Sequence, residues 1–210
     1  MKRLIGLFVL TIGIYGGHVM ATEEPRFVTL EKEGNFEIRQ YDSQLIAEVY
    51  VEGDMGRSGN KGFRMIADFI FGNNEKVDAN ESQKIAMTAP VTLEPQKIAM
   101  TAPVTLEGNE NNQWRVQFTM PSQYTFSTLP RPKNPDVKIR EIPGRKMAVI
   151  SFSGYMGEEK SLKKTDELLG WMAHKGYKTI GRPQMASYNP PWTLPFWRRN
   201  EVQIEIANHD

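Results

Sequence analysis

FEIRQYDSQLIAEVYVEGDMG (Phe36 to Gly56) and VKIREIPGRKMAVISFSGYMG (Val137 to Gly157) decide how the rest of the chain is read. Offset by 101 residues, they agree without a gap at six of 21 positions: Ile38/Ile139, Arg39/Arg140, Ala47/Ala148, Gly53/Gly154, Met55/Met156 and Gly56/Gly157. Each opens with a short β-rich run, Phe36 to Tyr41 and Val137 to Ile142. A turn-like pair follows, Asp42-Ser43 or Pro143-Gly144, then a second run, Leu45 to Glu52 or Lys146 to Ser153. Polar, Pro and Gly punctuation between β-rich runs predicts a hairpin in each copy. Gly-x-Met-Gly then leads each copy toward a helix.

The first predicted helix runs from about Lys61 to Phe71, with Phe63, Ile66, Ala67 and Ile70 on one face and Met65 and Phe69 beside them. So wide an apolar face predicts burial on more than one side. The second runs from about Glu158 to His174, with a stripe of Leu162, Thr165, Leu168, Leu169, Met172 and Ala173. Glu158 and Glu159 suit its positive N-terminus, and His174-Lys175-Gly176 its C-terminus. Further strands are expected in the KIAMTAPV region, at Trp114 to Met120, Tyr177 to Tyr188 and Glu201 to Ile206. Two amphipathic helices must each bury a stripe, and a shared antiparallel sheet is the natural cover. The expected fold is therefore α+β: two strand–strand–helix–strand–strand halves, about 26–120 and 136–207, forming a distorted antiparallel β-barrel flanked by two helices.

Upstream, MKRLIGLFVLTIGIYGGHVMA (Met1 to Ala21) has a basic start, an apolar run from Leu4 to Tyr15 and a small-residue end. That is the pattern of a secretory signal peptide. The apolar run of 12 residues is short against the roughly 20 a membrane span needs. Removing 21 of 210 residues leaves 189, read as one domain over 22–210, with 24 Lys and Arg (26 less Lys2 and Arg3) against 25 acids. A near-neutral chain without a basic block lacks the electrostatic footprint of a nucleic-acid binder. With no Cys there is no disulfide, thiolate nucleophile, Cys-bound zinc, iron–sulfur cluster or covalent c-type haem. The expected product is an exported monomer, most simply periplasmic, with no stable membrane insertion.

The sequence also repeats at short range. QKIAMTAPVTLE occupies Gln83 to Glu94 and again Gln96 to Glu107, separated by Pro95. The identical copies could pair as a hairpin, expected here to protrude, or one alone could enter the sheet and the other loop out.

Together EIRQY (Glu37 to Tyr41), GFRMIADFIFGNNE (Gly62 to Glu75), both KIAMTAPV copies (Lys84 to Val91, Lys97 to Val104), YNPP (Tyr188 to Pro191) and RRNEV (Arg198 to Val202) resemble the SOUL haem-binding family. The likeness spans about Arg26 to Ile206. It implies a pseudo-two-fold barrel of duplicated β-α-β-β units with two helices, and a non-enzymatic binder of haem or another porphyrin. In one vertebrate relative a proposed axial histidine falls within the EIRxY motif, where this chain has Gln40, and Gln is not a usual haem ligand; another relative binds haem without such a ligand. By the same resemblance, Phe63 and Ala67 keep the apolar character of a first-helix ring contact. Asn60 and Asp68 replace basic residues near the propionates, with Lys61 and Arg64 close by to serve.

The residues admit plainer readings too. Met87 and Met100 could ligate iron through sulfur, but in a strand Ile85, Met87, Ala89 and Val91 share a face, the pattern of core packing. Packing is favoured, with groove lining next. Tyr188, Trp192, Phe196 and Trp197 form either an exposed aromatic lip, able to stack on a porphyrin or grip a partner, or a cover over the barrel end. Arg198 and Arg199 suit ligand carboxylates, while at least one is expected to bridge Glu201 or another acid. His174 and His209 offer no metal site. The function expected is tetrapyrrole binding in an apolar groove, with Lys61, Arg64 or Arg198 near the carboxylates. The alternative is an interaction module for a protein, lipid or envelope component. An enzyme using Glu48 or Glu201 as base ranks third, on fold analogy alone.

Overall fold

The computed structural model describes residues 23–75, 103–108, 113–190 and 192–207. In chain order they form β1 (Phe27–Glu33), β2 (Phe36–Tyr41), β3 (Gln44–Glu52), α1 (Met55–Ile70), β4 (Asn74–Glu75), β5 (Val104–Gly108) and β6 (Gln113–Thr119). Then follow β7 (Arg131–Pro132), β8 (Lys138–Ile142), β9 (Arg145–Phe152), α2 (Glu158–Lys175), β10 (Gln184–Ser187), a 3-10 turn (Pro195–Trp197) and β11 (Asn200–Glu205). Nine strands make one antiparallel sheet in the order β1-β2-β9-β11-β10-β5-β6-β3-β8, and β4 and β7 pair separately. The sheet curls into a half-barrel with both helices on its outer face. Setting β1 aside, matching β2, β3, β5, β6 with β8, β9, β10, β11 makes the strand order read the same from either end. That is the signature of the pseudo-two-fold fold.

Strand alternation divides the sheet into two unlike faces. Ala47, Val49, Val51, Val116 and Phe118 turn outward to meet Ile66, Phe69 and Ile70 of α1. Ile38, Ala148, Ile150, Val202 and Ile204 meet Leu168, Trp171 and Met172 of α2. The alternate residues turn inward, and many are polar or charged yet buried: Glu37, Arg39, Glu48, Gln117, Gln184, Glu201 and Gln203. Helices thus cover an apolar exterior while the concave side holds charge.

The structure corrects the sequence reading of both helices. α1 begins at Met55, six residues before the predicted start, through a stretch holding Gly56, Gly59 and Gly62 that propensity argues against. Asp54 caps it, accepting from Arg57 N at 2.9 Å. Packing supplies the rest: a Cβ at Gly62 would lie 2.4 Å from Val116 Cγ2 and one at Gly59 2.8 Å from Leu106 Cδ2. Only a bare backbone lets α1 sit this close to the sheet. On α2 the buried residues are Ser161, Thr165, Leu168, Trp171 and Met172, whereas Leu162 and Leu169 are exposed. The face is rotated because Trp171 stacks between Phe36 and Tyr177, at 5.1 and 6.0 Å. Gly176 ends α2 with φ 78°, a left-handed position suited to glycine.

The end of the second KIAMTAPVTLE copy enters the sheet. Val104 to Glu107 pair with Phe118 to Arg115 on one side and with Ser187 to Gln184 on the other. The first copy, Met87, Met100, the segment Met1 to Ala21 and His209 lie outside the described residues. The strand expected over Tyr177 to Tyr188 is confined to β10, preceded by an isolated bridge between Thr179 and Ile206.

Candidate functional site

Two features of the inner face could carry function: a buried charge network and an open depression at one end of the half-barrel. The network joins the EIRQY and RRNEV motifs. From β2, Arg39 grips Glu201 of β11 with two bonds, Nη1 to Oε2 at 3.0 Å and Nη2 to Oε1 at 3.1 Å. Its Nε donates to Glu37 at 2.6 Å and its Nη1 to the Tyr41 hydroxyl at 3.1 Å. Glu201 also accepts from Tyr188 at 2.7 Å, Gln203 Nε2 at 2.8 Å and Ser151 Oγ at 3.3 Å. The Arg39 and Glu201 side chains are only 6 % and 1 % exposed. Burial works against the Arg39 charge, but Glu201, together with Tyr41, offsets it and holds the guanidinium above its ordinary value. Burial, then the Glu201 charge, pushes the Tyr188 phenol well up, and burial raises Tyr41.

Little room remains among these side chains. A space of about 20 Å³ lies between Tyr41, Gln117, Arg145, Tyr188 and Gln203, room for about one water. Glu48 is likewise engaged, 3.0 Å from Arg140 Nη2 and 4.0 Å from Arg115 Nη1. Both carboxylates considered as possible bases are therefore held in ion pairs.

The depression is far larger, about 1160 Å³. Its walls are the β2–β3 turn with its flanks (Gln40 to Leu45), the equivalent β8–β9 turn (Glu141 to Gly144), the end of β6 with the loop after it (Thr119 to Thr125), and residues Glu23 to Arg26. The last segment straps across the half-barrel. Asp42 N donates to Arg26 O at 3.1 Å, Ser122 N donates to Glu23 Oε1 at 3.0 Å, and Glu24 pairs with Arg199. Leu45, Met120, Pro121, Tyr124, Ile142 and Pro143 give the walls apolar surface, while Glu23, Glu24, Asp42 and Glu141 face it with Arg26.

The residues singled out from sequence fall in three places. Gln40, half-buried on β2, lines the depression and donates from Nε2 to Tyr41 O at 3.1 Å. Lys61, Phe63 and Arg64 are exposed on α1, beside buried Ala67, and the Phe63 ring lies 5.4 Å from that of Phe118. Arg198 sits before β11, donating from Nε to Thr193 O at 2.8 Å and lying over Tyr155 at 4.8 Å. Arg199 takes the structural role expected of one of this pair, bridging Glu24, approaching Glu201 at 3.9 Å and stacking on Tyr188 at 3.6 Å. Tyr188 points inward, whereas Trp192, Phe196 and Trp197 remain exposed, so the aromatic segment is a lip and not a cover. The turn residues of the depression read in the sequence as hairpin turns and not as a site. They have no periodicity, and only the fold brings equivalent turns from the two halves together.

The sequence profile of the SOUL heme-binding proteins matches residues 22–205. This chain belongs to the SOUL family. Among solved structures, a hydrolase from Listeria innocua is 10% identical with a TM-score of 0.57, covering 85% of this chain and 94% of its own. The C-terminal domain of EcmrR is also 10% identical, with a TM-score of 0.59, covering 83% and 98%. An uncharacterized conserved protein of Listeria innocua, again 10% identical, has a TM-score of 0.54 over 82% and 92%. At such identity the likeness is one of fold alone. No curated protein matches the sequence.

Membership of this family implies a haem or related ring, and the depression fits it in part. The volume of about 1160 Å³ is ample for a flat macrocycle, since ligand sites of about 300–1,000 Å³ are usual, but the walls are as polar as they are apolar. Tyr124 is of a type that can coordinate iron, whereas Met120 is packed into the core. The charge pattern is less suited, because ring carboxylates would meet Arg26 among four acids. Among the described residues, no group of three His, Asp or Glu side chains gathers as a metal site.

Proposed function

We propose that this SOUL-family chain binds haem or a related tetrapyrrole, without catalysing a reaction, in the depression framed by the two equivalent turns. The observation that carries the reading is a depression of about 1160 Å³ with Gln40 in its wall, within the motif where the family resemblance puts a relative's proposed axial histidine. A porphyrin offers several hundred square ångströms of apolar face, enough for affinity on the order of micromolar after association costs. Leu45, Tyr124 and Pro143 would receive the ring, and Arg26 one carboxylate. A bound iron would supply redox and ligand-binding chemistry; the protein's own part is to hold the ring and exclude water. Buffering, transport or sensing outside the cytoplasm fits a chain that opens with the leader-like Met1 to Ala21.

A second position is favoured by the exposed α1 face, where Phe63 and Phe71 flank Ala67 and lie near Lys61 and Arg64. Titration of the protein with haemin and with free-base protoporphyrin tests both. Saturation at one equivalent, weakened by Ser122→Trp and Thr125→Trp and unaffected by Lys61→Glu/Phe63→Ala/Arg64→Glu, supports the depression. The opposite pattern places the ring on α1. Absence of any spectral change with either ring refutes tetrapyrrole binding and leaves the interaction-module alternative.

A further inference from the structure

The strap across the depression follows almost directly on the leader-like segment. Glu23, Glu24, Pro25 and Arg26 line the depression, and Pro25 also reaches the small cavity inside the half-barrel. Three contacts fix the strap: Asp42 N donates to Arg26 O at 3.1 Å, Ser122 N donates to Glu23 Oε1 at 3.0 Å, and Glu24 pairs with Arg199. Asp42 belongs to the β2–β3 turn, Ser122 to the loop after β6 and Arg199 to the approach to β11, so three separate parts of the fold anchor it. Val19-Met20-Ala21 carries the small-residue pattern of a leader cleavage site, and Thr22 is the next residue. Consecutive Cα atoms are about 3.8 Å apart. Covalent geometry alone therefore keeps Thr22 beside the anchored Glu23, at the rim of the depression.

We infer that removal of the leader completes the ligand site, by placing the α-amine of Thr22 at the rim as a second cation for a ring carboxylate. The inference rests on the tetrapyrrole reading above and on cleavage after Ala21. Hydrolysis by a leader-removing peptidase adds one water across the Ala21–Thr22 peptide bond, leaving a carboxylate on Ala21 and an amine on Thr22. With an ordinary α-amino value of about 7.7–8.0, that amine takes up a proton at neutral pH. In the uncleaved chain the same nitrogen is an uncharged amide. The new charge answers the mismatch in the depression, where Arg26 stands among Glu23, Glu24, Asp42 and Glu141. Glu24 is matched by Arg199. The rest of the wall, Glu23, Asp42 and Glu141 against Arg26, is formally −2, and the α-ammonium brings it to −1. A ring with two carboxylates then meets two cations. Even where the ammonium pairs with a wall acid, repulsion of a dianionic ring falls. A ring without ionised carboxylates gains nothing. Full affinity for a carboxylate-bearing tetrapyrrole therefore belongs to the chain that begins at Thr22.

Expression of the full chain in an exporting bacterial host, with mass spectrometry of the product, locates the mature N-terminus; Thr22 is expected, and cleavage elsewhere or none overturns the inference. The processed protein and the same protein acetylated at its N-terminus are then titrated with protoporphyrin IX and with its dimethyl ester at low salt. Acetylation removes the charge and adds little bulk, and an unchanged melting temperature shows that the acetylated form is folded. It should weaken protoporphyrin binding by about two- to fivefold, the scale of an exposed ion pair, and the difference should shrink as salt is added. Binding of the dimethyl ester should be the same in both forms. Equal affinities of the two forms for protoporphyrin, or a loss that the ester shares, overturn the inference and leave the proposed function standing. Failure of both forms to bind either ring refutes tetrapyrrole binding itself.

Discussion

Replacing Arg39 by Met is the sharpest test of how the barrel interior is held together. The substitution keeps much of the side-chain volume but leaves Glu201, 1 % exposed, without the cation that contacts both its oxygens at 3.0 and 3.1 Å. Removing one partner of a buried ion pair typically costs about 3–5 kcal/mol. Tyr188, Gln203 and Ser151 still donate to Glu201, which keeps the loss within that range. Glu201→Gln is milder, about 2–3 kcal/mol, because Glu37 at 2.6 Å still balances Arg39. In the double variant no buried charge at this pair is left unmatched, so the losses should fall short of additive by about 2 kcal/mol. In a chain of this size 1 kcal/mol shifts the melting temperature by about 2–4 °C, so Arg39→Met should lower it by roughly 6–20 °C. Urea unfolding of the four proteins, followed by circular dichroism, measures the cycle. A loss below about 1 kcal/mol for Arg39→Met, or strict additivity, would show that water reaches the pair and that the interior is not the closed network described.

Gly62→Ala should destabilise by about 1–3 kcal/mol despite the better helix propensity of Ala, because its Cβ would meet Val116 at 2.4 Å; a gain in melting temperature would show that α1 can lift off the sheet. Folding raises the Tyr41 and Tyr188 phenols, chiefly through burial. The stability they contribute is therefore whole below the ordinary phenol value of about 10 and is lost as pH rises beyond it. Unfolding free energies from pH 8 to 11 should fall at the alkaline end, with a shallower fall in Tyr188→Phe; parallel curves would contradict the burial. Bonds from Lys175 hold the Glu31 and Glu33 carboxyls below their usual range, so stability from this clamp is present above about pH 4.5 and lost as pH falls through the lowered values. Lys175→Met should flatten that acid limb, and an unchanged limb would show the clamp to be idle. Deleting Gln83 to Pro95 leaves every residue of β5 in place, so the melting temperature should move by no more than a few degrees; failure to fold would show that both KIAMTAPVTLE copies are required.

Much of the architecture is legible in the sequence because alternation and amphipathic stripes report burial directly. Both hairpins, β6, β11, the end of α2 and the α+β barrel are of this kind. α1 was harder to delimit at its start, since Gly59 and Gly62 are placed for contact with Leu106 and Val116 and not for helix propensity. β1 was missed because its residues are mostly exposed and it pairs only along one edge. The site was less legible still. Gln40 stands in the depression, yet the rest of that wall is made of turns whose meeting depends on the pseudo-two-fold axis. Arg39 and Glu201 lie within quoted motifs, but sequence alone does not show that they bond across a gap of 162 residues.

The interleaving of the halves has a kinetic consequence. β2 finds its inner neighbour in β9, and β3 pairs with β8, so each hairpin docks onto strands of the opposite half. In the β2–β9 register Arg39 sits opposite Met147, and long loops must close before such contacts are rewarded. Chains dominated by non-local pairing fold on the order of milliseconds to seconds. Neither half, expressed alone, would own a complete sheet, but two fragments severed between β6 and β8 should recognise one another and assemble.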